Sequence, residues 1–179
     1  MPEADDLALL TEAATEAGRI ALHFWRREPK FWDKGGEHGP VSEADLAVNE
    51  ALETRLRAAR PGYGWLSEET PDTVARLDCA QVFLLDPIDG TRAFLAGEEN
   101  FAISLAVVTA GRGTAGVVHL PAKARLYAAT ANGPAQRNGL PIAASTRTEL
   151  VGADVLTTRA ALAPEHWPLG PEFEKRITS

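Results

Sequence analysis

Cysteine occurs once in the 179 residues, at Cys79, so no intramolecular disulfide framework is available. Neither a CxxC nor an HxxxH spacing is present to hold zinc. No apolar run approaches the roughly 18 residues that a membrane helix needs. The opening Met1-Pro2-Glu3-Ala4-Asp5-Asp6 is acidic, unlike the basic start of a secretory leader. Positive charge is also in deficit, with 18 Lys and Arg against 25 Asp and Glu and a net charge of −7. That balance argues against nucleic acid or an anionic membrane as an electrostatic partner. There is no internal repeat and no low-complexity segment. The expectation is a soluble, cytoplasmic chain. At 45% hydrophobic and 24% charged it is globular, one large domain or one domain and part of a second.

What is present is an acidic turn at the end of an apolar run. Val82-Phe83-Leu84-Leu85 reads as a buried strand that stops at Asp86-Pro87-Ile88-Asp89-Gly90-Thr91. In an extended chain Asp86 and Asp89 would stand roughly 10 Å apart. Pro87 suits the second position of a turn, which would bring the first and fourth residues within roughly 7 Å. Two carboxylates about 4 Å apart repel by about 4 kcal/mol at an effective dielectric near 20, so the pair needs a cation or a proton. Oxygen-only ligands point to Mg²⁺, Mn²⁺ or Ca²⁺ rather than zinc. Gly90 and Thr91 would offer backbone N–H groups to a phosphate at the start of a short helix. An acidic cleft attracts phosphate only after a bound cation has reversed its sign locally. On the hexapeptide alone, a plain strand-to-helix turn whose aspartates cap and solvate it fits equally well.

Along the chain, Leu7, Leu10, Ala14, Ala17, Ala21, Leu22 and Trp25 follow helical spacing, and the helix should end before Pro29. His23, with no partner at metal spacing, reads as a packing or surface residue. The glycine-rich piece from Asp33 to Pro40 reads as a mobile loop. A second helix starts at Ser42, with Asp45 completing an S-x-x-D capping pattern and Pro61-Gly62 as the stop. Read locally, Asp45 is a first-turn carboxylate met by the helix dipole. Tyr63 to Ser67 is a short strand delivering Glu68 and Glu69. Strands over 101–110 and 114–119, a turn at Pro121-Ala122-Lys123, a strand over 126–130 and the turn signal Asn138-Gly139 make consecutive hairpins. The fold expected is α+β, two helices on one face of an antiparallel sheet. After Thr146 the character changes, with a strand over 151–156, a helix or irregular segment over 159–166 and a helix start from Gly170. Residues 1–145 would then form an α+β metal- and phosphate-binding domain, and 146–179 the beginning of an α/β domain.

Val41-Ser42-Glu43-Ala44-Asp45, then Glu68-Glu69, then Asp86-Pro87-Ile88-Asp89-Gly90-Thr91, occur in an order that identifies a resemblance. From about Ala13 to at least Ala144 the sequence resembles the inositol monophosphatase superfamily of metal-dependent phosphomonoesterases. That superfamily includes 3'(2'),5'-bisphosphate nucleotidases and is related to fructose-1,6-bisphosphatases. The resemblance implies an αβαβα layered architecture and hydrolysis of a small phosphorylated metabolite by metal-activated water. It implies Glu68, Asp86 and the Ile88 carbonyl around a first Mg²⁺, Asp86 and Asp89 around a second, and Glu68 as an option for a third, with Mn²⁺ as a substitute. It pairs Asp45 with Thr91, which together with Glu68 would orient and deprotonate the water. Gly90 and Thr91 N–H groups would hold the phosphate, and Lys34 would be at most a further contact. Lithium sensitivity follows from the family, and a homodimer is compatible with it. The run Gly90-Thr91-Arg92-Ala93-Phe94-Leu95 followed by Phe101-Ala102-Ile103-Ser104-Leu105 looks nearer to the bisphosphate nucleotidases, with inositol-1-monophosphatase as the alternative. The family's Trp-Asp-x-x-Ala-Gly motif, whose aspartate binds the second metal, has no match here, which implies a fragment or a shortened chain. A metal-binding regulatory or inactive module therefore stays open, as does a calcium-stabilised structural domain.

Overall fold

The computed structural model describes residues 2–33, 35 and 39–149. The chain divides into two compact units, Met1–Ile142 and Ala143–Ser179. Of the second unit, residues 143–149 are described, and they are exposed without regular structure. The strand and helices expected beyond Val151 lie outside the described residues, as does Lys34.

The first unit opens with α1 (Pro2–Phe24), followed by a two-stranded ribbon of β1 (Phe31–Asp33) and β2 (Pro40–Ser42). The ribbon pairs antiparallel, so Asp33 and Pro40, the two ends of the expected loop, are strand. Next come α2 (Glu43–Ala59), β3 (Gly64–Ser67) and β4 (Gln81–Asp89). A five-residue helix, α3 (Thr91–Leu95), precedes β5 (Ala102–Thr109), β6 (Arg112–Leu120) and β7 (Arg125–Thr130). The short β8 (Gln136–Arg137) and β9 (Leu140–Pro141) close the unit. Asn138 and Gly139 between them have φ of 50° and 78°, the left-handed pair that a two-residue hairpin requires.

One seven-stranded sheet runs β3-β4-β5-β6-β7-β8-β9. From β4 onward every pairing is antiparallel, as consecutive hairpins demand. The β3–β4 pair is parallel instead, with Trp65 opposite Phe83 and Ser67 opposite Leu85. A parallel pair needs a long crossover, which residues 68–80 supply with a 3-10 turn at Val74–Asp78. Parallel pairing places the C-terminal ends of β3 and β4 side by side. Glu68 and Asp86 are consequently neighbours.

The core lies between the two helices and one sheet face. Leu10, Ala13, Ala14, Ala17 and Ala21 of α1 and Ala44, Val48, Leu52 and Leu56 of α2 meet Phe83, Leu85, Ile103, Leu105, Val107 and Val117. Alanine at the α1 contacts lets that helix approach closely, and at Gly18 even a Cβ would meet the His119 ring at 2.5 Å. Phe83, Phe94 and Phe101 are fully buried, each contributing about 1.5–3 kcal/mol. Phe94 meets Phe101 edge-on at 4.9 Å, which ties α3 to the chain entering β5. His23 is exposed at the end of α1 beside Phe24 and Arg27, in keeping with a surface role. Among the described residues no helix is long and apolar enough to cross a membrane.

Candidate active site

β4 does not end in a turn at Pro87. It continues as strand through Asp89, and this corrects the expectation that a turn draws Asp86 and Asp89 together. Asp86 pairs with Ser104 and Asp89 with Ala102, so three steps on β4 (89 − 86) face two on β5 (104 − 102). The strand thus carries one extra residue, a bulge. Residues three apart on a regular strand point to opposite faces, and one inserted residue turns the second back to the face of the first. Asp86 and Asp89 both line one cleft as a result. Proline, which lacks an N–H, is tolerated in a sheet at such a bulge, and Pro87 is buried there.

Immediately after Asp89 the chain makes a left-handed step at Gly90, φ 91°, which caps α3. A Cβ at this position would also stand 2.9 Å from the Asn100 carbonyl oxygen, so both conformation and space call for glycine. The step carries Thr91 back over β4. Its Oγ1 lies 3.0 Å from the Ile88 carbonyl oxygen and 3.2 Å from Asp45 Oδ1. One hydroxyl proton serves one of these acceptors at a time.

Asp45 is 1% exposed in the first turn of α2. Its Oδ2 accepts from the Ser42 N–H at 2.8 Å and the Ser42 hydroxyl at 2.6 Å, so the capping role and the Thr91 contact coexist on one carboxylate. Burial pushes the Asp45 carboxyl above its usual range, and the Ser42 and Thr91 donors pull against that. Asp86 is raised further, to about 7, first by burial and then by the charges of Glu68 and Asp89. Glu68 also makes a side-chain hydrogen bond to Asp86, and Asp45 adds a weaker repulsion.

Gly39, Pro40, Glu68, Asp86, Ile88, Asp89, Gly90, Thr91 and Arg92 line a cleft of about 290 Å³. Glu68, Asp86, Ile88, Asp89, Gly90 and Thr91 from the sequence reading are all in that lining, and Asp45 stands behind Thr91. The Ile88 side chain is buried, so only its carbonyl is available as a ligand. Glu69 is half-buried beside Glu68, with its N–H donating to Ser67 Oγ at 3.3 Å. Sequence reasoning missed Arg92, which brings a cation to the rim; its place directly after the Gly90-Thr91 step was the available signal. A larger cavity of about 570 Å³ runs along the sheet beside Leu84, Leu105, Val118 and Ala128. Its lining is mostly apolar, with Asp86 its one charged residue among those described, whereas Glu68, Asp86 and Asp89 share the smaller cleft.

The donor set suits a hard divalent cation. It is all oxygen, and the proton held on Asp86 to about pH 7 marks a site short of positive charge. Among the described residues no group of three or more His, Cys, Asp or Glu is arranged to hold an ion by itself. Magnesium asks for less than that, because it keeps several waters and takes one or two carboxylates plus substrate oxygens. Glu68 and Asp86, with Asp89 in the same cleft, meet that demand.

The inositol monophosphatase family matches residues 4–177, and the chain belongs to that family. An inositol-1-monophosphatase of Mesorhizobium japonicum is 34% identical over 146 residues, which is 81% of this chain and 54% of that protein. A 3'-phosphoadenosine 5'-phosphate phosphatase of Mycobacterium leprae is 40% identical over 106 residues, 59% of this chain and 38% of its own. Among solved structures, the Thermotoga maritima IMPase superposes with a TM-score of 0.82 at 26% identity, covering 97% of this chain and 68% of its own. The α+β architecture is thus that of the family. The chain spans about half the length of the curated relatives it matches over most of its own length.

Proposed function

We propose that the chain carries the metal and phosphate half of a Mg²⁺-dependent phosphomonoesterase, with Mn²⁺ as a substitute. The observation that carries this is the meeting of Glu68, Asp86 and Asp89 with Gly90 and Thr91 in one cleft, where Asp86 holds its proton to about pH 7. Glu68, Asp86, Asp89 and the Ile88 carbonyl would hold two or three ions. A bound divalent cation would supply Lewis acidity toward a phosphoryl oxygen and a water of lowered pKa. The Thr91 hydroxyl would orient that water, and the proton would pass to Asp45 Oδ1 or to the Glu68 carboxylate. Gly90 and Thr91 N–H groups would receive the phosphate oxygens.

The names of the relatives include inositol-1-monophosphatase, histidinol-phosphatase and 3'-phosphoadenosine 5'-phosphate phosphatase. We favour a 3'(2'),5'-bisphosphate nucleotide as substrate, on the Gly90 to Leu95 run, with inositol-1-phosphate as the competitor. Phosphate release from 3'-phosphoadenosine 5'-phosphate and from inositol-1-phosphate, with and without Mg²⁺ and Li⁺, tests both levels. Magnesium-dependent, lithium-sensitive release is expected, weak from these 179 residues because the family's Trp-Asp-x-x-Ala-Gly aspartate has no match in them. Release that persists in EDTA would overturn the proposal. A metal-binding module without turnover is the second reading, favoured by the missing match to the family's Trp-Asp-x-x-Ala-Gly motif. Magnesium binding with no phosphate release from either ester would select it.

A further inference from the structure

We infer that Asn49 is a positioning residue, which sets the Glu68 turn and through it the affinity of the cleft for a divalent cation. Asn49 is nine-tenths buried on α2, one helical turn after Asp45 and on the same face. Its Oδ1 accepts from Ser67 Oγ at 2.6 Å, and its Nδ2 donates to Thr70 Oγ1 at 3.0 Å. Those two residues bracket Glu68 and Glu69. The amide orientation is dictated by its neighbours. Ser67 Oγ receives the Glu69 N–H at 3.3 Å, which leaves the Ser67 hydroxyl proton to donate to Asn49. Thr70 Oγ1 also receives the Trp65 indole N–H at 3.4 Å. Within the turn, the Thr70 N–H reaches the Ser67 carbonyl at 3.4 Å, and the Glu68 N–H reaches Leu85 O at 3.2 Å.

One face of α2 therefore holds both acidic segments of the site. Asp45 meets the Gly90-Thr91 step, and Asn49 meets the turn between β3 and the crossover. Glu68 is exposed at the head of that turn. Glu68 reaches Asp86 from an exposed position, so the backbone beneath it helps set where its carboxylate stands, and the Ser67 and Thr70 side chains that flank that backbone both bond to Asn49. A residue that orients a metal ligand without touching the metal commonly changes metal affinity by about 10- to 100-fold when removed. The inference rests on the metal site proposed above.

Isothermal calorimetry with Mg²⁺ and Mn²⁺ on the full chain, paired with amide hydrogen exchange of residues 67–70 in EDTA, tests it. Asn49→Ala should weaken Mg²⁺ binding about tenfold or more and speed exchange at Glu69. Thr70→Val, which removes only one hydroxyl, should act in the same direction if Asn49→Ala proves too unstable to measure. Asn49→Asp should restore most of the affinity, because its carboxylate accepts from both Ser67 and a reoriented Thr70 hydroxyl. Val48→Ala, buried next to it and outside the network, should lower the melting temperature and leave Mg²⁺ affinity in place. Unchanged Mg²⁺ affinity in Asn49→Ala, alongside lost affinity in Glu68→Gln, would overturn the role of Asn49 while the metal site stands. Unchanged affinity in both variants would overturn the metal site itself.

Discussion

The Thr91 hydroxyl lies 3.2 Å from Asp45 Oδ1, a contact between residues 46 positions apart. It joins the start of α2 to the step after β4, and it places a buried acceptor behind the one hydroxyl among the described residues of the cleft lining. If this pair moves the water's proton, Thr91→Val should lower turnover by about 10²- to 10⁴-fold. Mg²⁺ affinity should stay nearly unchanged, because the carboxylates remain. Steady-state phosphate release and calorimetry on the same preparation check both halves. A loss of activity matched by an equal loss of metal affinity would count against a proton role.

The raised Asp86 carboxyl makes the stability of the metal-free protein pH-dependent. The folded state holds a proton to about pH 7, whereas the unfolded chain releases it near its ordinary value of about 4. A raised folded value means stability is fully present below about pH 4 and is lost as pH rises toward and through about 7. Asp45, also raised, acts in the same direction. Bound Mg²⁺ replaces the proton, so its stabilising effect should be larger at pH 8 than at pH 5. Thermal melts in EDTA and in saturating Mg²⁺ at the two pH values measure this, and equal shifts would contradict it.

Glu68→Gln removes the largest like charge acting on Asp86. The Asp86 carboxyl should then titrate lower than in the unaltered protein, though still above its ordinary range because burial is the leading cause. Carboxyl ¹³C chemical shifts followed through a pH titration report this directly. Mg²⁺ affinity should fall in the same variant despite the lower Asp86 value, because a ligand has been lost. An unmoved Asp86 titration would show that the two carboxyls do not interact.

Gly90→Ala should destabilise the fold by about 1–3 kcal/mol through left-handed strain alone. The 2.9 Å approach of its Cβ to the Asn100 carbonyl adds to that. Urea unfolding gives the magnitude, and a change under about 0.5 kcal/mol, the ordinary surface value, would mean the step relaxes. The wild-type α3 is only five residues long and is anchored by Phe94 against Phe101, so this variant should also lose the Thr91–Asp45 contact.

Local sequence determined the parts. Apolar spacing placed α1 and α2, Ser42 and Pro61-Gly62 bounded the second, and Asn138-Gly139 marked a hairpin that the sheet contains. These signals are short-range, carried by side-chain period and by residues whose backbone freedom is unusual. The acidic members of the site were legible for the same reason, as chemical types in a familiar order. How they meet was decided by tertiary structure. A turn at Pro87 was the local expectation, yet pairing with β5 kept the segment in the sheet and resolved the odd spacing of Asp86 and Asp89 as a bulge. The parallel β3–β4 pairing that sets Glu68 beside Asp86 depends on a crossover with no periodicity of its own. Asn49 had no signal at all, because an asparagine on a helix reads as solvent-facing until another element brings Ser67 and Thr70 to its amide. Burial raised Asp86 to about 7, and burial is a property of the packed molecule that no stretch of eight residues contains.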